Sequence, residues 1–151
     1  MDGLAARSVY GGYSLTPSRA TELKGSTKIQ LPTRRGSVPG HIPVSERSTY
    51  QWKIYIDEAV TLFADLSYNY QGEEGSGKIS VKSETGVLSG AFRNTGQYVG
   101  EPNSNWQIDS FNSHRLGLLE FPEPGYYTIS LEINPGKGDE MGFQWLWLGT
   151  D

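Results

Sequence analysis

The sequence contains no cysteine among its 151 residues. Disulfide bonds, cysteine nucleophiles and thiolate metal sites are therefore excluded. A domain of this length can instead rely on one continuous hydrophobic core for its stability. The sequence also lacks an apolar run near the ~20 residues that a membrane-spanning helix needs, so it predicts no membrane partner.

Positive charge is scarce as well. The chain has 13 Lys and Arg against 17 Asp and Glu, which gives a formal net charge of -4 at pH 7. A protein that binds nucleic acid needs a basic surface to neutralise the phosphates. The composition therefore predicts no nucleic-acid partner.

Motifs of catalysis are also missing. The two histidines, His41 and His114, have no partner at the spacing of metal ligands, and neither an HExxH nor a GxSxG motif occurs. The acidic pairs Glu73-Glu74 and Asp139-Glu140 both fall in polar turns, where carboxylates are normally solvated, whereas a catalytic acid needs a desolvated cleft. The sequence therefore predicts a protein that is not itself an enzyme.

Turn formers and aromatic residues are abundant, with 19 Gly, 8 Pro, 9 Tyr and 4 Trp. This composition favours many short strands. Hydrophobic residues alternate over several segments separated by polar turns, and no segment has a helical period. The pattern predicts an all-β fold, a two-sheet jelly-roll β-sandwich. The predicted strands are 50–56, 60–70, 78–82, 86–92, 114–121, 127–133 and 141–148.

The chain is predicted to divide into two parts. Residues 1–19 are weakly patterned and are interpreted as a linker or an extended N-terminal segment, and residues 20–151 form the sandwich. Residues 24–44 are rich in Pro, Gly and Arg and predict a long loop. The first residues, MDGLAARSVYGG, lack the basic start and apolar stretch of a signal peptide. We expect the chain to be a portion of a longer protein.

Aromatic residues on strands and in loops are interpreted differently. Trp52, Trp145 and Trp147 lie on apolar strand faces and are predicted to pack in the core. Tyr98 and Trp106 bracket a polar loop, TGQYVGEPNSNW, where an aromatic ring can cover the C–H face of a sugar while polar groups meet its hydroxyls. The alternative is that Trp106 closes the edge of the sandwich. The polar candidates for sugar binding are Arg93, Asn103, Asn105 and Asp139.

Two hairpins carry a resemblance to a known family. YQWKIYIDEAVTLFADLSYNY and LLEFPEPGYYTISLEI are similar to the two hairpins of carbohydrate-binding modules of families six and thirty-five. Between them lies a segment that resembles the family's F-x-x-Thr-Gly-x-W … W. The positions of this chain that match this segment are Phe92, Thr95, Gly96, Tyr98 and Trp106. Similar modules occur as C-terminal accessory domains of bacterial α-L-fucosidases.

The resemblance implies a function and a setting. It implies a non-catalytic module that binds carbohydrate and belongs to a secreted or periplasmic glycoside hydrolase of the α-L-fucosidase type. The alternative is a structural module that packs on the parent catalytic domain without binding sugar. Family members commonly hold a structural calcium, for which Glu22 matches one ligand, but Gln144 and Trp145 stand near the position of the second acid. The sequence therefore predicts no cofactor and leaves a calcium site open.

Overall fold

The structure is a computed structural model that describes residues 4–5, 11–30, 40–95 and 111–150. In these ranges the chain forms two β-sheets and one short 3-10 helix, Pro17–Arg19. The strands are β1 (Leu4–Ala5), β2 (Tyr13–Leu15), β3 (Glu22–Lys24), β4 (Ile42–Val44), β5 (Ser48–Ile56), β6 (Val60–Asn69), β7 (Lys78–Ser83), β8 (Gly86–Ala91), β9 (Asn112–Phe121), β10 (Gly125–Asn134) and β11 (Met141–Gly149).

The strands divide between two sheets that face each other. Sheet one has the order β1-β5-β10-β7-β8, and β3 pairs with β5. Sheet two has the order β2-β11-β6-β9, and β4 pairs with β11. Only β1 and β5 run parallel among the described pairs, and the others are antiparallel. The predicted all-β, two-sheet sandwich is thereby confirmed.

The core lies between the sheets and follows from the alternation of each strand. In β5, residues Tyr50, Trp52, Ile54 and Ile56 are all buried, while the residues between them face outward. Trp52 also donates a hydrogen bond from Nε1 to the carbonyl oxygen of Thr16 at 2.7 Å, so its only polar atom is satisfied. The prediction that Trp52 packs in the core is correct.

The prediction for Trp145 and Trp147 is wrong. Trp145 is 37% exposed and Trp147 is partly buried, and both lie on the outer face of sheet two. The cause is a β-bulge, because the register of β11 against β6 shifts between Phe143 and Trp145. Gln144 is the extra residue, so Phe143 and Leu146 both point into the core, and the tryptophans after the bulge point away from it.

Candidate functional site

A cavity of about 400 Å³ lies at one end of the sandwich. Five stretches that are far apart in the sequence meet there, because β4 and β6 end and β9 and β11 begin near this end, and Gln30 pairs with His41. Most of its wall is formed by short polar turns and strand ends. The residues that line it are Gln30, His41, Pro43, Asn69, Tyr70, Gln71, Gly72, Phe111, Gly138, Asp139, Glu140, Met141 and Gly142.

Tyr70 connects this cavity to Thr95, the last described residue before position 96. The backbone N–H of Tyr70 donates to Oγ1 of Thr95 at 2.9 Å, and the backbone N–H of Thr95 donates to the carbonyl of Tyr70 at 2.8 Å. On the far side of that segment, Nδ2 of Asn112 donates to the carbonyl of Thr95 at 2.7 Å. Thr95 and Asn112 are therefore close together, and the neighbouring Phe111 lies in the cavity wall.

Asp139 is held in the cavity wall by two hydroxyl groups. Its Oδ2 accepts a hydrogen bond from Tyr70 at 3.0 Å and another from Oγ of Ser76 at 2.6 Å. The hydroxyl oxygens of Tyr70 and Ser76 are also in direct contact with each other. Burial, and after it the hydrogen bond to the Asp139 carboxylate, raise the pKa of Tyr70, so the phenol stays protonated and keeps donating.

Two aromatic rings form another part of the wall. The rings of His41 and Phe111 lie 5.2 Å apart between centroids at an angle of 58°. Gly142 lies against both rings, because a Cβ at this position would come within 3.0 Å of His41 Cδ2 and 3.2 Å of Phe111 Cζ. A side chain at this position would therefore require one of the two rings to shift by a few tenths of an ångström.

The predicted sugar-binding residues fall into three groups. Asp139 lies in the wall of the cavity. Arg93 is exposed just beyond β8, and its backbone N–H donates to the hydroxyl of Tyr68 at 2.9 Å. Four further candidates, Tyr98, Asn103, Asn105 and Trp106, lie outside the described residues.

Sequence reasoning missed several residues of the cavity. The sequence shows only that His41 has no partner at the spacing of metal ligands, and it does not single out Phe111, Asn69 or Gln71, yet all four line the cavity. No local pattern distinguishes them, because their proximity depends on how β4, β6, β9 and β11 are ordered in sheet two. The only local signal was the turn before β11, which contains Asp139.

Glu22, which the resemblance matches to a calcium ligand, and Gln144, which stands near the position of the second acid, both make other contacts. Glu22 lies on β3 in sheet one and pairs with Lys24 at 3.1 Å. Gln144 lies on β11 in sheet two, and its Oε1 accepts a hydrogen bond from Ser67 at 2.6 Å. Within the described ranges, no group of three His, Asp or Glu residues is placed to hold a metal ion. Glu22 and Gln144 therefore do not fit a shared calcium site.

A second depression lies on the outer face of sheet one. Its volume is about 560 Å³, and its wall includes Arg47 and Glu132, which form an ion pair. The remaining wall comes from β7, β8 and β10 and is partly polar.

The described part of the chain contains no helix that is long and apolar enough to cross a membrane.

The comparisons with known proteins establish the fold. No protein-family model and no curated protein matches the sequence. Among solved structures, the C-terminal CBM6 of LamC, a marine laminarinase from Zobellia galactanivorans, is similar with a TM-score of 0.64 and 13% identity. That match covers 92% of this chain and 99% of the CBM6 chain. The chain has the β-sandwich fold of carbohydrate-binding modules of families six and thirty-five, as the sequence resemblance predicts.

The same fold also occurs inside longer proteins. The insecticidal crystal protein Cry2Aa matches with a TM-score of 0.69 and 14% identity, covering 97% of this chain and 22% of the Cry2Aa chain. The α-L-fucosidase from Vibrio sp. strain EJY3 matches with a TM-score of 0.61 and 15% identity, covering 98% of this chain and 24% of that enzyme. At these identities the likeness establishes the fold, and function has to be argued from the site.

Proposed function

We propose that this chain is a non-catalytic carbohydrate-binding module whose ligand binds at the cavity at the end of the sandwich. One observation carries the proposal: the cavity combines a fixed carboxylate, side-chain amides and an aromatic pair in about 400 Å³. Amides and carboxylates suit sugar hydroxyls, and aromatic faces suit sugar C–H groups. Thr95 and Phe111 are the described residues on either side of the stretch that contains Tyr98 and Trp106, and both lie at this cavity. Thr95 hydrogen-bonds to Tyr70, and Phe111 is part of the wall.

The proposal assigns binding roles to the predicted residues. Tyr98 and Trp106 stack on sugar rings, and Arg93, Asn103, Asn105 and Asp139 meet sugar hydroxyls. A single site of this kind binds weakly, so its effect on an attached enzyme comes from proximity to the substrate. The proposed parent is a secreted or periplasmic glycoside hydrolase of the α-L-fucosidase type. The occurrence of this fold within the Vibrio α-L-fucosidase supports that setting.

A glycan array followed by affinity gel electrophoresis on its hits tests the proposal. We expect saturable binding to at least one glycan, with the affinity falling at least tenfold in Trp106→Ala and Tyr98→Ala. Trp145→Ala is the matched control, because Trp145 is an aromatic residue on the outer face of sheet two. Equal losses in all three variants, or no binding across plant, mucin and fucosylated glycans, would contradict the proposal.

The second candidate function is structural packing against a neighbouring domain. It is favoured by apolar side chains on the outer face of sheet two, where Leu118 is 59% exposed and Trp145 is 37% exposed. Beside them, the Arg115 guanidinium lies 3.8 Å from the Phe63 ring centroid and 3.0 Å from Asp65 Oδ1. This candidate predicts that Leu118→Ser weakens association with the catalytic domain and leaves glycan binding unchanged.

A further inference from the structure

The orientation of the Asp139 carboxylate restricts which ligand group can meet it. Tyr70 and Ser76 both donate to Oδ2, so this oxygen is turned toward the protein. Within the described part of the chain, Oδ1 accepts no hydrogen bond from another residue. An ionised carboxylate can only accept hydrogen bonds, so a ligand group at Oδ1 has to be a donor.

The charge of the cavity wall acts in the same direction. Glu140 adds a second carboxylate to the wall, and the described lining residues include no Lys or Arg. A negatively charged ligand placed here would be repelled by both acids, most strongly by Asp139, whose direction is fixed. Hydroxyl groups and ammonium groups would be accepted without this repulsion.

We infer that the cavity binds neutral or amino sugars and discriminates against uronic acids, with Asp139 as the residue that sets this specificity. The inference rests on the proposed function, because it requires that the cavity binds a saccharide. Tyr70 and Ser76 act as positioning residues, since they hold Oδ2 and direct Oδ1 to the ligand. Glu140 contributes charge without such positioning, because its side chain is exposed.

Calorimetric titration with matched tetrasaccharides tests the inference. The neutral probes are the β-1,4-linked tetrasaccharides of glucose and of mannose, and the cationic probe is that of glucosamine. The acidic probes are the corresponding tetraglucuronate and tetramannuronate. We expect a neutral probe to bind at least tenfold more tightly than its uronate partner at low salt, and the glucosamine probe to weaken as salt is added.

Two substitutions in the turn before β11 distinguish the effect of an oriented carboxylate, Asp139, from the effect of a nearby negative charge, Glu140. Asp139→Asn keeps a side chain that can accept from Tyr70 and Ser76, and it should reduce the neutral-to-uronate ratio at least fivefold. Glu140→Gln removes the same charge from the next residue and should change the ratio less than twofold. Ser76→Ala keeps the charge of Asp139 but removes one of its two donors, and it should weaken neutral binding several-fold while the repulsion of uronates persists.

The outcomes distinguish the inference from the proposed function. Uronate binding as tight as neutral binding, or equal effects of Asp139→Asn and Glu140→Gln, would overturn the inference and leave carbohydrate binding intact. Failure of every saccharide to bind, on the array and in these titrations, would overturn the proposed function together with the inference. Thermal unfolding of each variant shows whether it is folded, and Ser76→Ala provides a second reading if Asp139→Asn is not.

Discussion

Trp52 and Trp145 show how differently one residue type is used within this sandwich. Trp52 is fully buried in β5, and its ring packs edge-on against Phe143 with centroids 6.1 Å apart. Its Nε1 donates to the carbonyl of Thr16. Trp145 lies outside the core, on the outer face of sheet two, and is 37% exposed. Substitution by phenylalanine should therefore affect stability very differently at the two positions.

Trp52→Phe should lower the free energy of unfolding by about 2–4 kcal/mol, because it leaves a cavity and removes the partner of the Thr16 carbonyl. Trp145→Phe should lower it by less than about 1 kcal/mol, because no core volume is lost. Urea denaturation followed by circular dichroism measures both. A loss at Trp145 as large as at Trp52 would contradict the outer-face position of Trp145.

At the level of residues, the sequence predicted burial where alternation was uninterrupted. The buried residues of β5 follow directly from a strict period of two. The same reasoning failed in β11, because both faces of that strand are apolar and a bulge changes the phase without a local signal. Asp139 could be selected from its polar turn, whereas His41 and Phe111 could not be selected before the topology was known.

At the scale of the elements, the β-bulge at Gln144 affects which residues of β11 are buried. It is an inner strand of sheet two, pairing with β6 on one side and with β2 and β4 on the other. The extra residue Gln144 is held on β6 by the hydrogen bond from Ser67 to its Oε1. A shift by one residue exchanges the faces of a strand. The bulge therefore determines which half of β11 fills the core.

Deletion of Gln144 should lower the free energy of unfolding by roughly 3–6 kcal/mol. Without the bulge, β11 cannot bury Phe143 and Leu146 together, so either Leu146 and Leu148 or Met141 and Phe143 must leave the core. Gln144→Ala is the control, because it keeps the extra residue and loses only the side-chain hydrogen bond, at about 1 kcal/mol. If the deletion protein unfolds at the same urea concentration as the control, the bulge does not set the phase of β11.

The strands themselves were largely predictable, and their assembly was not. The segments that form β5, β6, β7, β8, β9, β10 and β11 were predicted to within about two residues, because period-two alternation is a local property. The cavity depends on strand order, which brings residues near positions 41, 70, 111 and 139 together. That order follows from long-range pairing, which no short stretch of sequence encodes.

At the scale of the whole molecule, His114 links folding to pH. It lies on β9 opposite Leu66, and its ring is 5.1 Å from the ring of Tyr68. Its Nε2 is buried and has no hydrogen-bond partner among the described residues. Burial, and then the nearby Arg93, lower the pKa of His114 below the 6.5 of an unfolded histidine, while Glu74 acts weakly in the opposite sense. The folded state therefore favours the neutral imidazole.

This shift predicts that the protein loses stability as the pH falls below 6.5. Between the folded pKa of His114 and 6.5, the unfolded chain binds the proton and the folded chain does not, so unfolding becomes more favourable as the pH is lowered. His114→Gln removes this contribution because glutamine does not titrate. Urea unfolding between pH 7.5 and pH 5 should therefore show a smaller loss of stability in the variant, since the carboxylates common to both proteins contribute equally. Identical pH dependence in the two proteins would mean that the His114 proton is bound equally in the folded and unfolded states.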